Sequence, residues 1–161
     1  MTFEPKHKLA TIIFADMVGY TALTQKVEKK AKELTQRHSD LMKLYVDKHG
    51  GEILQYVGDG TFCAFDGAIK AVNAALEIRE VLEIEPQVNL CIGIHVGDVV
   101  FEGDEVYDDG INVAARIELL AELGTICISV VVYEEIRDKP DITAAYLGEK
   151  NLKMYSTHYF Y

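Results

Sequence analysis

Apolar residues recur along the chain with two different periods, and each change of period marks a predicted strand or helix. LATIIFAD (residues 9–16) is a continuous apolar, β-branched run that ends in an acidic residue, which predicts a buried strand. From Val27 to Lys48, apolar residues recur every three or four positions, and the sequence His49-Gly50-Gly51 follows. This pattern predicts a long amphipathic helix with a glycine stop.

The rest of the chain continues this alternation of strands and helices. EILQYV and TFCAF are predicted to form a hairpin about Gly58-Asp59-Gly60, and GAIKAVNAALEIREVL a second helix. VNLCIGIHVGDVVFEG is predicted as two strands joined at Gly97-Asp98, and DDGINVAARIELLAEL as a third helix closed by Gly124. The last predicted elements are a strand in TICISV, a short helix in VVYEEIRDK, and strands in ITAAYLGE and STHYFY. Helices that alternate with hairpins predict an α+β fold, with a ferredoxin-like βαββαβ core and a mixed sheet flanked by helices.

Composition narrows the class of protein. The 161 residues, of which 49% are hydrophobic, fit a single domain over 1–161 with a core from about residue 8 to 161. The net charge of −10 argues against nucleic-acid binding, because a phosphate backbone requires a clustered basic surface. An anionic small substrate is compatible with this charge if metal ions supply the positive charge.

Cysteine usage and hydropathy indicate the compartment. Cys63, Cys91 and Cys127 are far apart, and each lies in an apolar strand-like run, so we expect reduced core thiols. The sequence has no run of 18 apolar residues and no signal-peptide pattern. We therefore expect a soluble cytoplasmic protein without a membrane segment.

Two acidic residues occupy predicted strand ends beside turns that contain glycine. Asp16 precedes Val18-Gly19, and Asp59 lies between Gly58 and Gly60. If the two strands are neighbours, the carboxylates converge, which is unfavourable unless a cation lies between them. A pair of divalent ions is the natural occupant. The alternatives are a helix N-cap for Asp16 and a turn position for Asp59.

The segment after Asp16 has the features of a phosphate-binding turn. It consists of Met17, Val18, Gly19, Tyr20 and Thr21 and is expected to lead into a helix, whose first backbone amides point outward. Gly19 would permit close approach of a ligand. Together with the two acidic residues, this segment indicates metal-bridged triphosphate binding.

Asn112 and Arg116 lie four residues apart and therefore share one face of the third predicted helix. One interpretation is structural: the arginine forms an ion pair or extends its charged end to solvent. The other is functional: the guanidinium stabilises charge on a reacting phosphate, and the amide orients a sugar.

Four segments, taken in order and spacing, identify a family resemblance. FADMVGYT, QYVGDGTFCAF, CIGIHVGDVV and VYDDGINVAARIE resemble the catalytic domain of class III nucleotidyl (adenylate/guanylate) cyclases. The resemblance extends from about Lys8 to the LGEKNLK segment. It implies a lyase that converts ATP to 3′,5′-cyclic AMP and pyrophosphate.

The resemblance implies a role for each matching residue. Asp16 and Asp59 would hold two Mg²⁺ or Mn²⁺ ions, one favouring loss of the proton from the ribose 3′-hydroxyl and the other binding the triphosphate. Asn112 would position the ribose, and Arg116 would stabilise the transition state. Lys153 lies where the family often has a triphosphate-binding lysine, although Met154 replaces the glycine that usually follows.

The family also implies an assembly. The metal-binding aspartates come from one subunit and the Asn/Arg pair from the other, so the resemblance implies a head-to-tail homodimer with composite sites. Such domains are often joined to sensory domains, so a regulatory domain or partner is a further expectation.

The purine pocket departs from the family pattern at two positions. Gln55 stands where adenylate cyclases usually have lysine, and Glu105 where they have aspartate or threonine, while guanylate cyclases have glutamate and cysteine at these places. The Gln55 amide can donate to adenine N1 while Glu105 accepts from N6, or it can donate to guanine O6 while Glu105 accepts from N1-H. We expect ATP to be preferred; a guanylate or dual-specificity cyclase and a non-catalytic nucleotide-binding dimerisation module are the alternatives.

Overall fold

A computed structural model of the chain describes residues 6–17, 28–57, 60–84, 89–102, 105–107, 109–121, 124–152 and 155–160. Its elements in chain order are β1 (Lys6–Met17), α1 (Glu28–Lys48), β2 (Glu52–Val57), β3 (Gly60–Phe65), α2 (Ala68–Leu82), β4 (Leu90–Glu102), β5 (Glu105–Tyr107), α3 (Asp109–Glu118), β6 (Ile126–Ser129), α4 (Val130–Ile136), β7 (Tyr146–Leu152) and β8 (Tyr155–Phe160). None of the described helices is long and apolar enough to cross a membrane.

The strands form one mixed sheet in the order β2-β3-β1-β4-β6-β8-β7, and β5 pairs with β4 outside this path. The central strand β1 is antiparallel to both β3 and β4, and β4 is parallel to β6. The first four strands, with α1 after β1 and α2 after β3, form the βαββαβ arrangement of the ferredoxin-like core. The predicted fold class is therefore confirmed.

The two faces of the sheet carry different helices. Side chains alternate along β1, and Ile13, Ala15 and Met17 belong to the cluster that packs against α1 and α2. Ala10 and Ile12 point to the other face and pack with residues of α3. Side chains from β1 thus contribute to two separate apolar clusters.

The long helix α1 ends where the sequence predicts. Gly50 has φ of 74°, a conformation that favours glycine, and the Gly51 amide donates to the Val46 carbonyl at 2.8 Å. Gly124 also has a positive φ, of 73°. Both glycines therefore mark changes of chain direction.

The hairpin predicted at Gly97-Asp98 is wrong. β4 continues through both residues, with Gly97 opposite Ala10 and Asp98 opposite Leu9 on β1. A Gly-Asp pair favours a turn only where the neighbouring strand ends, and β1 is long enough to pair with β4 over twelve positions. The reversal occurs after Glu102, where the unpredicted strand β5 pairs back onto β4.

Two predicted element ends also differ from the structure. The third helix ends at Glu118, and residues 119–121 continue it only as a turn, although the apolar period extends further. The strand expected over 142–149 begins at Tyr146 instead. Ile142 and Ala144 are apolar because they pack against the core on the α1 and α2 face, which needs no strand pairing.

Candidate active site

Asp16 is the second-last residue of β1 and lies between two strands. It is opposite Gly60 on β3 and Cys91 on β4. The side chain is half-buried, and its Oδ1 atom is shielded from solvent. Asp59 immediately precedes Gly60 in the sequence but lies outside the described residues. Because Asp16 pairs with Gly60, β1 and β3 are neighbours, as convergence of the Asp16 and Asp59 carboxylates requires.

A pair of stacked aromatic rings lies beside Asp16 on the same face of the sheet. The Phe14 and Phe62 ring centroids are 4.4 Å apart, with an interplanar angle of 28°. The Phe14 ring also covers Gly60, where an added Cβ would lie 2.6 Å from ring carbons. Glycine at this position lets the aromatic ring approach the backbone next to the candidate metal site.

Gln55 lies on the opposite side of this aromatic pair from Asp16. It is exposed on β2 and pairs with Phe62 on β3, which in turn pairs with Phe14 on β1. Two strand spacings, roughly 10 Å, therefore separate Gln55 from the β1 strand. Asp16 and Gln55 thus lie at two ends of one surface, with apolar rings between them.

Helix α3 packs unusually close to β4 on this face. A Cβ on Gly93 would lie 2.5 Å from the Ala114 carbonyl oxygen and would also overlap the Glu118 amide nitrogen. Only glycine allows this approach, so Gly93 fixes the height of α3 above the sheet. Arg116, which is half-buried, lies between these two contact points along the helix.

The end of α3 adjoins Asp16 through Cys91. The Cys91 thiol donates to the Ala121 carbonyl, with an Sγ to oxygen distance of 3.6 Å. Burial, and then the negative charges of Glu118 and Asp16, raise the pKa of this thiol. Cys91 therefore lies between Asp16 on β1 and the segment that follows α3.

Glu118 is a buried carboxyl group without a predicted role. Its side chain is 5% exposed although it lies next to the solvent-facing Leu119. Helical spacing provides the missing signal, because Ala114, Glu118 and Ala121 follow at i, i+4 and i+7 and therefore share the face that packs on the sheet.

The donor chemistry at Asp16 fits a hard divalent cation. Mg²⁺ and Mn²⁺ prefer oxygen ligands, and a carboxylate with one shielded oxygen supplies one. Within the described ranges, no group of three or more His, Cys, Asp or Glu side chains forms a complete metal site. The second carboxylate of the predicted pair, Asp59, is not among these residues.

The structure places some predicted site residues and leaves others undescribed. The Glu105 backbone lies on β5 opposite Glu102, and the Asn112 backbone lies in α3. Met17 ends β1 with its side chain buried on the α1 and α2 face, so a contact with substrate would use its backbone. The predicted site residues outside the described part of the chain are Val18, Gly19, Tyr20, Thr21, Asp59 and Lys153.

His95 and the three cysteines have structural rather than metal-binding surroundings. His95 Nδ1 lies 2.9 Å from the Ser129 hydroxyl, and burial lowers the pKa of His95, which favours the neutral ring. Cys63, Cys91 and Cys127 are all buried and form no disulfide, as predicted, and burial raises the pKa of the Cys63 thiol well above its usual range.

Comparison with known proteins identifies the family. The family model for the adenylate and guanylate cyclase catalytic domain matches residues 3–161. "Putative adenylate cyclase 3" of Rhizobium meliloti (strain 1021) is 31% identical over 156 residues, which cover 92% of this chain and 27% of that protein. An adenylate cyclase of Streptomyces coelicolor is 30% identical over 82% of this chain and 36% of that protein. This chain therefore spans between a quarter and two fifths of the length of these relatives.

A solved structure supports the same conclusion. The adenylate/guanylate cyclase/hydrolase from Silicibacter pomeroyi superimposes with a TM-score of 0.89, covers 98% of this chain and 97% of that chain, and is 29% identical. The resemblance seen in the four sequence segments is thus confirmed by an independent likeness of fold. The chain belongs to the family of adenylate and guanylate cyclase catalytic domains.

Proposed function

We propose that this chain is a metal-dependent adenylate cyclase domain that converts ATP to 3′,5′-cyclic AMP and pyrophosphate. One observation carries the proposal: Asp16 on β1 lies opposite Gly60, the residue that directly follows Asp59 in the sequence. The two similar proteins named adenylate cyclases support the choice of reaction.

Asp16 and Asp59 are the proposed metal ligands. When bound, two Mg²⁺ or Mn²⁺ ions would favour ionisation of the ribose 3′-hydroxyl and neutralise the triphosphate. The backbone of residues 17–21 would bind phosphate oxygens, and Lys153 would contribute a positive charge to the triphosphate. The protein's net charge of −10 makes such neutralisation necessary, because the chain itself would repel a polyanion.

Asn112 and Arg116 are proposed to act in the site of a second copy of this chain. α3 approaches Asp16 with its C-terminal end, as the contact between Cys91 and Ala121 indicates. Asn112 lies six residues before Glu118, so its backbone is roughly 9 Å further along the helix axis, away from that end. This direction supports a composite site, in which Asp16 and Asn112 come from different subunits.

An exposed apolar residue directly after the end of α3 supports the homodimer. Leu119 follows Asn112 and Arg116 at i+7 and i+3, and its side chain is 77% exposed. Burying this leucine against a second copy would remove apolar surface from water while bringing Asn112 and Arg116 to the partner's nucleotide.

Gln55 and Glu105 are proposed to contact the purine base. Gln55 is a neutral donor, and a hydrogen bond from a charged donor is roughly twice as strong. We therefore expect selectivity for ATP over GTP to be modest. A guanylate cyclase is the second candidate function, because the same exposed amide can donate to guanine O6.

The proposal is tested by incubating the purified chain with ATP or GTP and Mn²⁺ and measuring both cyclic products. We expect cyclic AMP from ATP and less cyclic GMP from GTP. The Gln55→Lys variant should raise the ratio of kcat/KM for ATP to that for GTP by about fivefold to tenfold, because it introduces a charged donor. Gln55→Glu, at the same exposed position, should shift that ratio towards GTP. Absence of either cyclic product from the wild-type chain would overturn the proposal.

The related proteins are longer than this chain, and the additional length could contain regulatory domains. The chain corresponds to between a quarter and two fifths of them. We propose that a regulatory domain or partner controls the cyclase activity of this domain.

A further inference from the structure

We propose that His38 and Thr61 form a positioning pair that fixes the metal-binding end of the sheet. This inference rests on the proposed function, since it concerns the geometry of the Asp16 and Asp59 site. It adds a role for a helix, α1, that carries none of the residues assigned to metal, nucleotide or transition state.

The pair is a polar contact inside an apolar interface. The buried side chains of α1 are Ala31, Leu34, His38, Met42 and Val46, and His38 is the polar member of this set. His38 is 2% exposed and Thr61 is fully buried. The His38 Nε2 atom lies 3.0 Å from the Thr61 Oγ1 atom, which is hydrogen-bonding distance.

Thr61 is the second residue of β3 and lies close in the chain or across the ladder to both aspartates. It follows Gly60, which pairs with Asp16, and it comes two residues after Asp59. Thr61 itself pairs with Ala15, which directly precedes Asp16 on β1. The hydrogen bond therefore attaches α1 to the sheet at the level of the candidate metal site, from the face opposite Asp16.

A polar pair at this depth is not the arrangement that stability alone favours. Burying a hydroxyl and an imidazole costs desolvation, and replacing both with apolar groups of similar shape is often neutral or stabilising. A hydrogen bond supplies direction and distance, which apolar packing does not. Because the hydrogen bond lies at the start of β3, next to the candidate metal site, we infer that it positions that site rather than stabilises the fold.

The metal site needs such an attachment because its own charges oppose it. Two carboxylates close together repel each other, and this repulsion tends to separate the end of β3 from β1 whenever no cation is bound. α1 packs against α2 and β2, and its Leu34 and Met42 share one apolar cluster with Ala15 of β1. By holding Thr61, His38 ties the start of β3 to a helix that shares its apolar cluster with β1, and we infer that this keeps the two aspartates at a separation that suits a cation.

The test is Mn²⁺ binding, measured by the electron paramagnetic resonance signal of free Mn²⁺ without any nucleotide. We expect Thr61→Val to weaken binding by roughly tenfold or more, as for other groups that orient metal ligands. Thr61→Ser keeps the hydroxyl and should bind Mn²⁺ as the wild type does. Thr35→Val is the matched control, because the Thr35 hydroxyl donates within α1, to the Ala31 carbonyl at 2.8 Å. It should leave Mn²⁺ binding unchanged.

A double variant separates positioning from stability. His38→Leu combined with Thr61→Val removes both polar groups, so its unfolding temperature should match or exceed that of the wild type, while its Mn²⁺ binding stays weak. Wild-type Mn²⁺ affinity in this folded double variant would overturn the inference and leave the proposed function intact. Absence of Mn²⁺ binding by the wild-type protein would overturn the proposed metal site, and this inference with it.

Discussion

Asp16→Asn is expected to reduce the rate of cyclic AMP formation by at least roughly 10²-fold to 10³-fold at saturating Mn²⁺, because electrostatic stabilisation by metal contributes several kcal/mol to such reactions. Asparagine keeps the shape of the side chain and one oxygen but loses the negative charge that holds a divalent cation. The measurement is the initial rate of cyclic product as a function of Mn²⁺ concentration.

The same substitution should not destabilise the protein in the absence of metal. Two converging carboxylates disfavour each other when no cation is bound, so neutralising one of them should leave the unfolding temperature unchanged or raise it. Asp98→Asn is the matched control: it removes one charge from the same β1–β4 strand pair, at an exposed position near the opposite end of the ladder from Asp16. Full activity in Asp16→Asn, with Asp98→Asn also active, would exclude Asp16 as a metal ligand.

Arg116→Ala is expected to lower kcat by roughly 10²-fold to 10⁴-fold with a much smaller change in KM. A guanidinium that contacts the reacting phosphate is worth most when negative charge develops in the transition state, and removing such a donor typically has effects of this size. The measurement is a full substrate dependence with ATP and Mn²⁺. It separates an effect on the transition state from an effect on nucleotide binding.

Two further variants define what a loss at Arg116 means. Arg116→Lys keeps the charge but lacks the planar, two-pronged donor, so we expect it to recover only part of kcat. Arg137→Ala removes an exposed arginine that pairs with Glu134 on α4 and should leave kcat unchanged. A rise in KM with unchanged kcat in Arg116→Ala would contradict a transition-state role for this arginine.

Most of the fold follows from sequence patterns that depend on near neighbours in the chain. The apolar run 9–16, the amphipathic period of α1 and the glycine stop at Gly50 each reflect local geometry, and each appears in the structure as predicted. The neighbouring placement of β1 and β3 also follows, because a ferredoxin-like core brings these two strands together. That placement sets Asp16 opposite Gly60.

Features that depend on distant partners could not be predicted. Gly97-Asp98 has the composition of a turn, and only the length of β1 beside it keeps β4 extended. In the sequence Gly93 looks like an ordinary strand glycine, and only the packing of α3 against it shows why a side chain does not fit. The stacking of Phe14 on Phe62 joins two strands 48 residues apart in sequence, by their numbering, so no local pattern reports it.

The most direct test of a composite cyclase site is complementation between two inactive variants. Asp16→Asn retains Asn112 and Arg116, and Arg116→Ala retains both aspartates, so a mixed dimer contains one intact site and one doubly altered site. Random pairing of equal amounts should restore about a quarter of wild-type activity per protein, because half of the dimers are mixed and each has one of two sites. Recovery of cyclic AMP formation near this level is the predicted result. No recovery, after mixed dimers have been demonstrated by differently tagged chains, would contradict a site shared between two subunits.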